Sequence, residues 1–261
     1  MKLEEILTKL ERRIPKSWAE SWDNPGLSVG NPVSDVSLIA AALDANEHTI
    51  DAAVKMGAGL LVTHHPLIFK PLKSLIFNRP LSRAVEAVVR NGLAVYSCHT
   101  NWDSSPEGVN KILAEKLGLT SIVPLIPAQR PDRGWGIGAA GTFCAPVSVT
   151  ECVRIVSERW QISPISAYGD ENAVIDKAAI GGGSCGDMWN EAVEAGAQIF
   201  ITSDMSYHDR QDALAMGLNL IITDHGDTER ISLDALAKIT EYETGITVKL
   251  IKEPLSYKRI I

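Results

Sequence analysis

Three common classes of protein are disfavoured by what the sequence lacks. Its four cysteines, Cys98, Cys144, Cys152 and Cys185, are scattered without a CxxC pair, so the spacing of a zinc knuckle or a redox dithiol is absent and reduced thiols are the simplest reading. Positive charge is in deficit. Against 32 Asp and Glu there are 25 Lys and Arg, for a net charge of −7, and the pI is about 5.4. That balance argues against a broad, non-specific nucleic-acid grip and leaves a local anion site open. The opening stretch MKLEEILTKLERRIP carries acidic residues in its first turns and no long apolar core, unlike a secretory signal or a membrane span. The expectation is a soluble, cytoplasmic protein with no membrane partner. No low-complexity tract occurs.

What is present can bury a large core: 261 residues, 45% of them apolar, enough for one large domain or two modest ones. Short β-type runs alternate with helical patterns. The runs at 37 to 44, 58 to 65 and 92 to 100 are accompanied by helices expected at 47 to 56, 81 to 90 and 107 to 117. The second half repeats this pattern, with runs at 178 to 187, 197 to 204 and 218 to 225, helices at 187 to 195, 209 to 216 and about 228 to 240, and a last strand at 246 to 251. This is βαβ grammar. It predicts an α/β protein with largely parallel sheets and active groups at the carboxyl ends of strands. The Pro- and Gly-rich stretch at 124 to 141 is the best boundary, dividing the chain into halves 1–125 and 126–261. KMGAGLLVTHH (55 to 65) also parallels EAGAQIFITSD (194 to 204), and NGLAVYSCHT (91 to 100) parallels MGLNLIITDH (216 to 225). Either an internal duplication or common βα-loop chemistry accounts for that.

The strand ends carry the reactive side chains. THHP and HTNWD supply His64, His65, His99 and Asp103; TSDMSYHD and TDHGDTE supply Asp204, His208, Asp224, His225 and Glu229. His225 and Glu229 are four apart, so a helix beginning at about 225 would put both on one face, able to grip one ion. The adjacent His64 and His65 diverge along a strand, and Pro66 restricts the residue before it, so each can reach a different ion, with the Asp103 carboxylate able to bridge. Nitrogen and oxygen donors without sulfur suit Zn²⁺, Fe²⁺, Mn²⁺ or Ni²⁺ better than Cu⁺ or Ca²⁺. On the residues alone, a polar strand cap for the histidine pair and an ordinary i,i+4 pair for His225 and Glu229 remain open.

Five motifs, ESWDNPGLSVG, LVTHHPLIFKPLKSL, YSCHTNWDSSPEGVNKILAEKLGL, GGGSCGD and ITSDMSYHDRQDALAMGLNLIITDHGDTER, occur in the order found in the NIF-three-like family, whose members are often labelled GTP cyclohydrolase I type 2 homologues, and the chain resembles that family from about residue 4 to 261. The resemblance implies two interlinked α/β halves with a dinuclear metal site in the cleft between them, commonly in a toroidal homohexamer. It also implies His64, His65, Asp103, His225 and Glu229 as ligands of two divalent ions, and the compact form without an inserted domain. Two positions depart from the usual pattern: Asp224 precedes His225, and Asp204 stands where similar proteins often have Glu. Such a site suits metal-assisted hydrolysis of a nucleotide-like or other small anionic substrate, with His99 as the candidate for orientation or proton transfer. A metal-binding or adaptor protein without turnover is the alternative. His208 is a weaker candidate, and GGGSCGD reads as a tight turn or as a backbone anion site without the Walker ending. Trp22 and Trp102 lie inside the motifs as candidate site-lining residues.

Overall fold

A computed structural model of the chain describes residues 1–129, 132 and 134–252. The chain opens with α1 (Leu3–Arg13), β1 (Gly26–Val29), β2 (Ile39–Ala42), α2 (Glu47–Lys55), β3 (Leu60–Thr63), α3 (Pro80–Arg90), β4 (Ala94–Ser97) and the single turn α4 (Thr100–Asp103). It continues through α5 (Val109–Leu117), β5 (Thr120–Val123), β6 (Ile126–Pro127), β7 (Gly136–Ile137), β8 (Ala139–Ser148), α6 (Val149–Trp160), β9 (Ser166–Tyr168) and β10 (Val174–Gly181). The remaining elements are α7 (Trp189–Glu194), β11 (Ile199–Thr202), α8 (Tyr207–Ala215), β12 (Asn219–Ile222), α9 (His225–Arg230), α10 (Leu233–Thr244) and β13 (Val248–Leu250).

Two compact units result. The first comprises Met1–Trp102 together with the chain from Leu233 onwards; the second is Asp103–Ser232. This division differs from one at 125/126, because α10 and β13 return to the first unit. The Pro- and Gly-rich stretch is no linker in its described part: β6 and β7 pair antiparallel and the Trp135 amide donates to Ser104 O at 2.7 Å. Turn composition reads alike for a linker and a hairpin. Residues 130, 131 and 133 of it lie outside the described residues.

The first unit holds a five-stranded sheet in the order β1-β4-β3-β2-β13. Only β1 runs antiparallel to its neighbour. The central strands are buried at every position, as expected where helices cover both faces of a parallel sheet. Alternation sorts their side chains. Ala40, Ala42, Leu61 and Val95 join Ile50 and Ala53 of α2 and Ala84, Val85 and Val88 of α3 in one core cluster. Helix α2 is pinned at its start by a reciprocal cap: Thr49 N donates to Asn46 Oδ1 and Asn46 N donates to Thr49 Oγ1, both at 3.0 Å.

The second unit holds a six-stranded sheet in the order β5-β8-β10-β11-β12-β9. Here only β10, β11 and β12 are parallel to one another; β5, β8 and β9 pair antiparallel. The expectation of largely parallel sheets therefore describes the first unit, and the second is mixed. The ten-residue β8 turns directly into α6, where Ser148 accepts from Glu151 N at 3.1 Å, and the chain then crosses the sheet to reach β9 at its far edge.

Candidate metal centre

In the first unit the candidate side chains emerge where β2, β3 and β4 end. Pairing with β2 outlasts β3: His64 N donates to Ala42 O at 3.3 Å and His65 N to Leu43 O at 2.9 Å. The two rings are then tied to opposite neighbours of β3. His64 is fully buried, and its Nδ1 lies 2.9 Å from Cys98 O just beyond β4. His65 Nδ1 lies 2.7 Å from Asp44 Oδ1 just beyond β2. His99, two residues past β4, has its Nδ1 2.7 Å from Asp23 Oδ1. Ring centroids of the three histidines stand 4.9, 5.2 and 5.6 Å apart, and one nitrogen of each falls within 4.8 Å of the others.

These contacts decide the chemistry of the rings. A carbonyl oxygen can only accept, so His64 carries its proton on Nδ1 and presents Nε2 as the lone-pair nitrogen. The Asp44 and Asp23 carboxylates impose the same choice on His65 and His99. A metal-binding imidazole needs this arrangement, with the outer nitrogen donating to a carboxylate or carbonyl and the inner one turned to the ion. The donor set therefore fits a divalent cation. Burial alone would push Asp23 up, but hydrogen bonds from His99 and Thr100, the charge of His99 and the Asn24 amide hold it at about 2.

In the second unit α9 begins at His225, capped by Asp224, whose side chain accepts from Asp227 N at 3.1 Å. Helix spacing brings His225 Nε2 to 3.0 Å from Glu229 Oε1, as the four-residue interval predicts. His225 Nδ1 is 2.6 Å from Asp204 Oδ2, again an imidazole between a carboxylate partner and a further ligand. Asp204 sits in the left-handed region at φ 51°, a conformation that aspartate tolerates at a tight turn. Glu229 is 4% exposed, and the GGGSCGD turn is built around it. Gly183 N donates to Thr228 Oγ1 at 2.9 Å, Ser203 Oγ donates to Gly183 O, and a Cβ at Gly183 (φ +70°) would lie 2.3 Å from Glu229 Oε1. The loop thus packs Glu229 in place, which is the tight-turn role. Burial and the nearby charges of Asp103, Asp187 and Glu229 push the Cys185 thiol well up, and burial pushes Cys98 up to about 12. Without a metal both sulfurs are thiols at neutral pH.

His208 is exposed on α8, edge-to-face with Tyr207 at 5.4 Å. Trp102 is fully buried core, whereas Trp22 is exposed and meets His99 edge-on at 6.4 Å and Phe69 at 6.0 Å. Asp103 closes α4, half-buried. Sequence reasoning missed Asp23 and Asp44. Asp23 lies in the motif ESWDN, and Asp44 is the last residue of the run 37 to 44, two positions past the end of β2.

Duplicated strand-helix chemistry carrying histidines and carboxylates at the strand ends defines an α/β protein with a candidate His/Glu metal site. Comparison with known sequences agrees. The profile of Duf34/NIF3 (NGG1p interacting factor 3) matches residues 1–254, and the chain belongs to that family. It is 34% identical to a GTP cyclohydrolase 1 type 2 homolog of Clostridium perfringens over 229 residues, covering 88% of this chain and 87% of the relative. A Clostridium acetobutylicum protein of the same name is 30% identical over 254 residues, covering 96% and 95% of the two chains. A solved Bacillus cereus protein related to NIF3 superposes with a TM-score of 0.93 over 100% of this chain and 99% of that one, at 20% identity. That likeness speaks for the fold.

Proposed function

We propose that this protein is a divalent-metal-dependent hydrolase acting on a nucleotide-like or other small anionic substrate, with His64, His65, Asp103, His225 and Glu229 holding two ions of the Zn, Fe, Mn or Ni type. The observation that carries this reading is the control of the His64 and His65 rings through Nδ1 by Cys98 O and Asp44, with His225 held between the Asp204 and Glu229 carboxylates. Bound divalent ions supply a water whose pKa is lowered towards ~7 and a Lewis acid for the acceptor atom. The chain's own groups do the rest. Cys98 O and Asp44 orient the two adjacent rings, Gly183 leaves room for the Glu229 carboxylate, and His99 takes or returns a proton at Nε2. The name shared by the relatives, GTP cyclohydrolase 1 type 2 homolog, puts a purine nucleotide at the head of any substrate panel.

Burial favours a second reading, since His64 is 0% and Glu229 4% exposed, and closed coordination marks a structural or storage site. The deciding experiment is purified protein, its metal quantified, incubated with GTP and a nucleotide panel. Turnover lost in His64→Ala and Glu229→Ala supports the hydrolase; stoichiometric metal without turnover on any substrate supports the metal-binding or adaptor protein. The homohexamer belongs to the same proposal and is favoured by exposed Phe69, Leu72, Leu75, Ile76 and Phe77 in one stretch of the first unit. Light scattering after size exclusion measures it. A cytoplasmic setting is part of the proposal; among the described residues no helix is long and apolar enough to cross a membrane.

A further inference from the structure

The side chain of Asp23 is 0% exposed, yet it belongs to no sheet or helix among the described elements. Both of its oxygens are used. Oδ1 takes His99 Nδ1–H at 2.7 Å and the Asn24 amide at 2.7 Å; Oδ2 takes the Thr100 amide at 3.1 Å and the Thr100 hydroxyl at 2.5 Å. A carboxylate has room for four such donors, and no other side chain accepts so many without offering a proton in return. Thr100 in turn accepts from the Glu20 amide at 2.9 Å, so the loop before β1 and the turn after β4 are fastened to one another through this carboxylate. His99 stands at the centre, edge-on to His64, His65, Trp22 and Phe69.

We propose that Asp23 is a positioning residue: with Thr100 it fixes His99 as the Nδ1–H tautomer, so that Nε2 is the nitrogen offered to a proton beside His64 and His65. The proposal deepens the reading of His99 as the proton-transfer group and rests on it. Buried carboxylate–imidazole pairs act in this way in hydrolases, where the acid sets tautomer and ring orientation without itself exchanging the proton. His99 then differs from His64 in one useful respect. His64 takes its tautomer from a backbone carbonyl that no substitution removes, whereas His99 takes it from a side chain that can be changed.

The test is solid-state ¹³C–¹⁵N NMR of metal-free protein labelled in histidine, recorded well above the ordinary imidazole pKa of about 6.5 and assigned with a His99→Gln variant. Wild-type His99 should be Nδ1–H with Nε2 unprotonated. In Asp23→Ala and Asp23→Asn the Nδ1–H population of His99 should fall at least several-fold while the His64 signal stays as it is, and bound zinc, measured after reloading, should keep its wild-type stoichiometry. An Nε2–H tautomer at His99 in the wild type overturns the proposal without need of any variant. So does a pair of variants in which His64 and His99 change together, since Asp23 would then only hold the fold. Should the tautomer follow Asp23 while the wild type turns over no substrate, the hydrolase reading fails and the assignment of Asp23 stands.

Discussion

The first unit runs β1-β4-β3-β2 across its sheet and the second runs β9-β12-β11-β10, each with an antiparallel edge followed by three parallel strands. The chain visits these strands in the same order, and even the loop hydrogen bonds recur. Gly59 N to Leu38 O is matched by Gln198 N to Lys177 O, Ala94 N to Gly59 O by Asn219 N to Gln198 O, and Cys98 N to Thr63 O by Thr223 N to Thr202 O. The parallel between 55 to 65 and 194 to 204 is thus a repeat of supersecondary structure as well as of letters. What differs is the chemistry after the third strand, where Thr63 is followed by His64 and His65 while Thr202 is followed by Ser203 and Asp204. Backbone pairing and apolar packing constrain the strands, and residues just beyond them are free to carry function.

Truncating the equivalent core residues Leu61 and Phe200, both 0% exposed, should cost about 2–5 and about 3–5 kcal/mol in urea denaturation; a much smaller loss at one of them would mean that its unit does not fold as a cooperative core. Gly183→Ala has no counterpart in the first unit. Its φ of +70° and the 2.3 Å approach to Glu229 should cost about 1–3 kcal/mol and weaken zinc binding, whereas Gly57→Ala, also at positive φ but with nothing within 4 Å, should leave zinc binding unchanged.

Asp23 makes the first unit acid-sensitive. Its carboxyl is held at about 2 against an ordinary 3.8, so the unfolded chain binds the proton more readily. The resulting stability, about 2 kcal/mol, is complete above pH ~3.8 and is lost as pH falls towards ~2. Denaturation from pH 6 downward should show the gap between wild type and Asp23→Asn closing over that window. A gap that stays constant would contradict the assignment. The smallest effects on folding are expected at Asp44→Ala and Asp204→Ala, since these carboxylates are 41% and 52% exposed and surface pairs contribute under about 1 kcal/mol. Each should nonetheless lower metal affinity about 10–100-fold in calorimetric titration, and a loss at Asp44 alone would show that Asp204 does not orient a ligand.

The parallel core of each repeat is legible because strands buried on both faces read as short apolar runs between Gly-initiated turns, as in AGLLVT and AQIFIT. The common face of His225 and Glu229 is legible too, from their four-residue interval, although the run at 218 to 225 hides the start of α9 at His225. Less visible are the edges. GLSV of β1 and SAY of β9 are only four and three residues long, and β8 contains Gly141 and Pro146, so periodicity does not mark them; their antiparallel pairing is settled by tertiary contacts. One helix was expected at about 228 to 240 where two occur, because α9 ends at Arg230 and α10 restarts at Leu233 without a proline or glycine to signal the break. Asp23 and Asp44 escaped for a related reason. A lone aspartate gives no hint of which imidazole it will meet from 76 or 21 residues away.

Calorimetric titration of chelator-stripped protein with zinc tests the central claim most directly. Stoichiometric binding by the wild type, lost in both His64→Ala and Glu229→Ala variants that retain the wild-type melting behaviour, is the result expected of a metal centre built from these strand ends. A wild type that takes up no zinc, or variants that bind it as the wild type does, would contradict it.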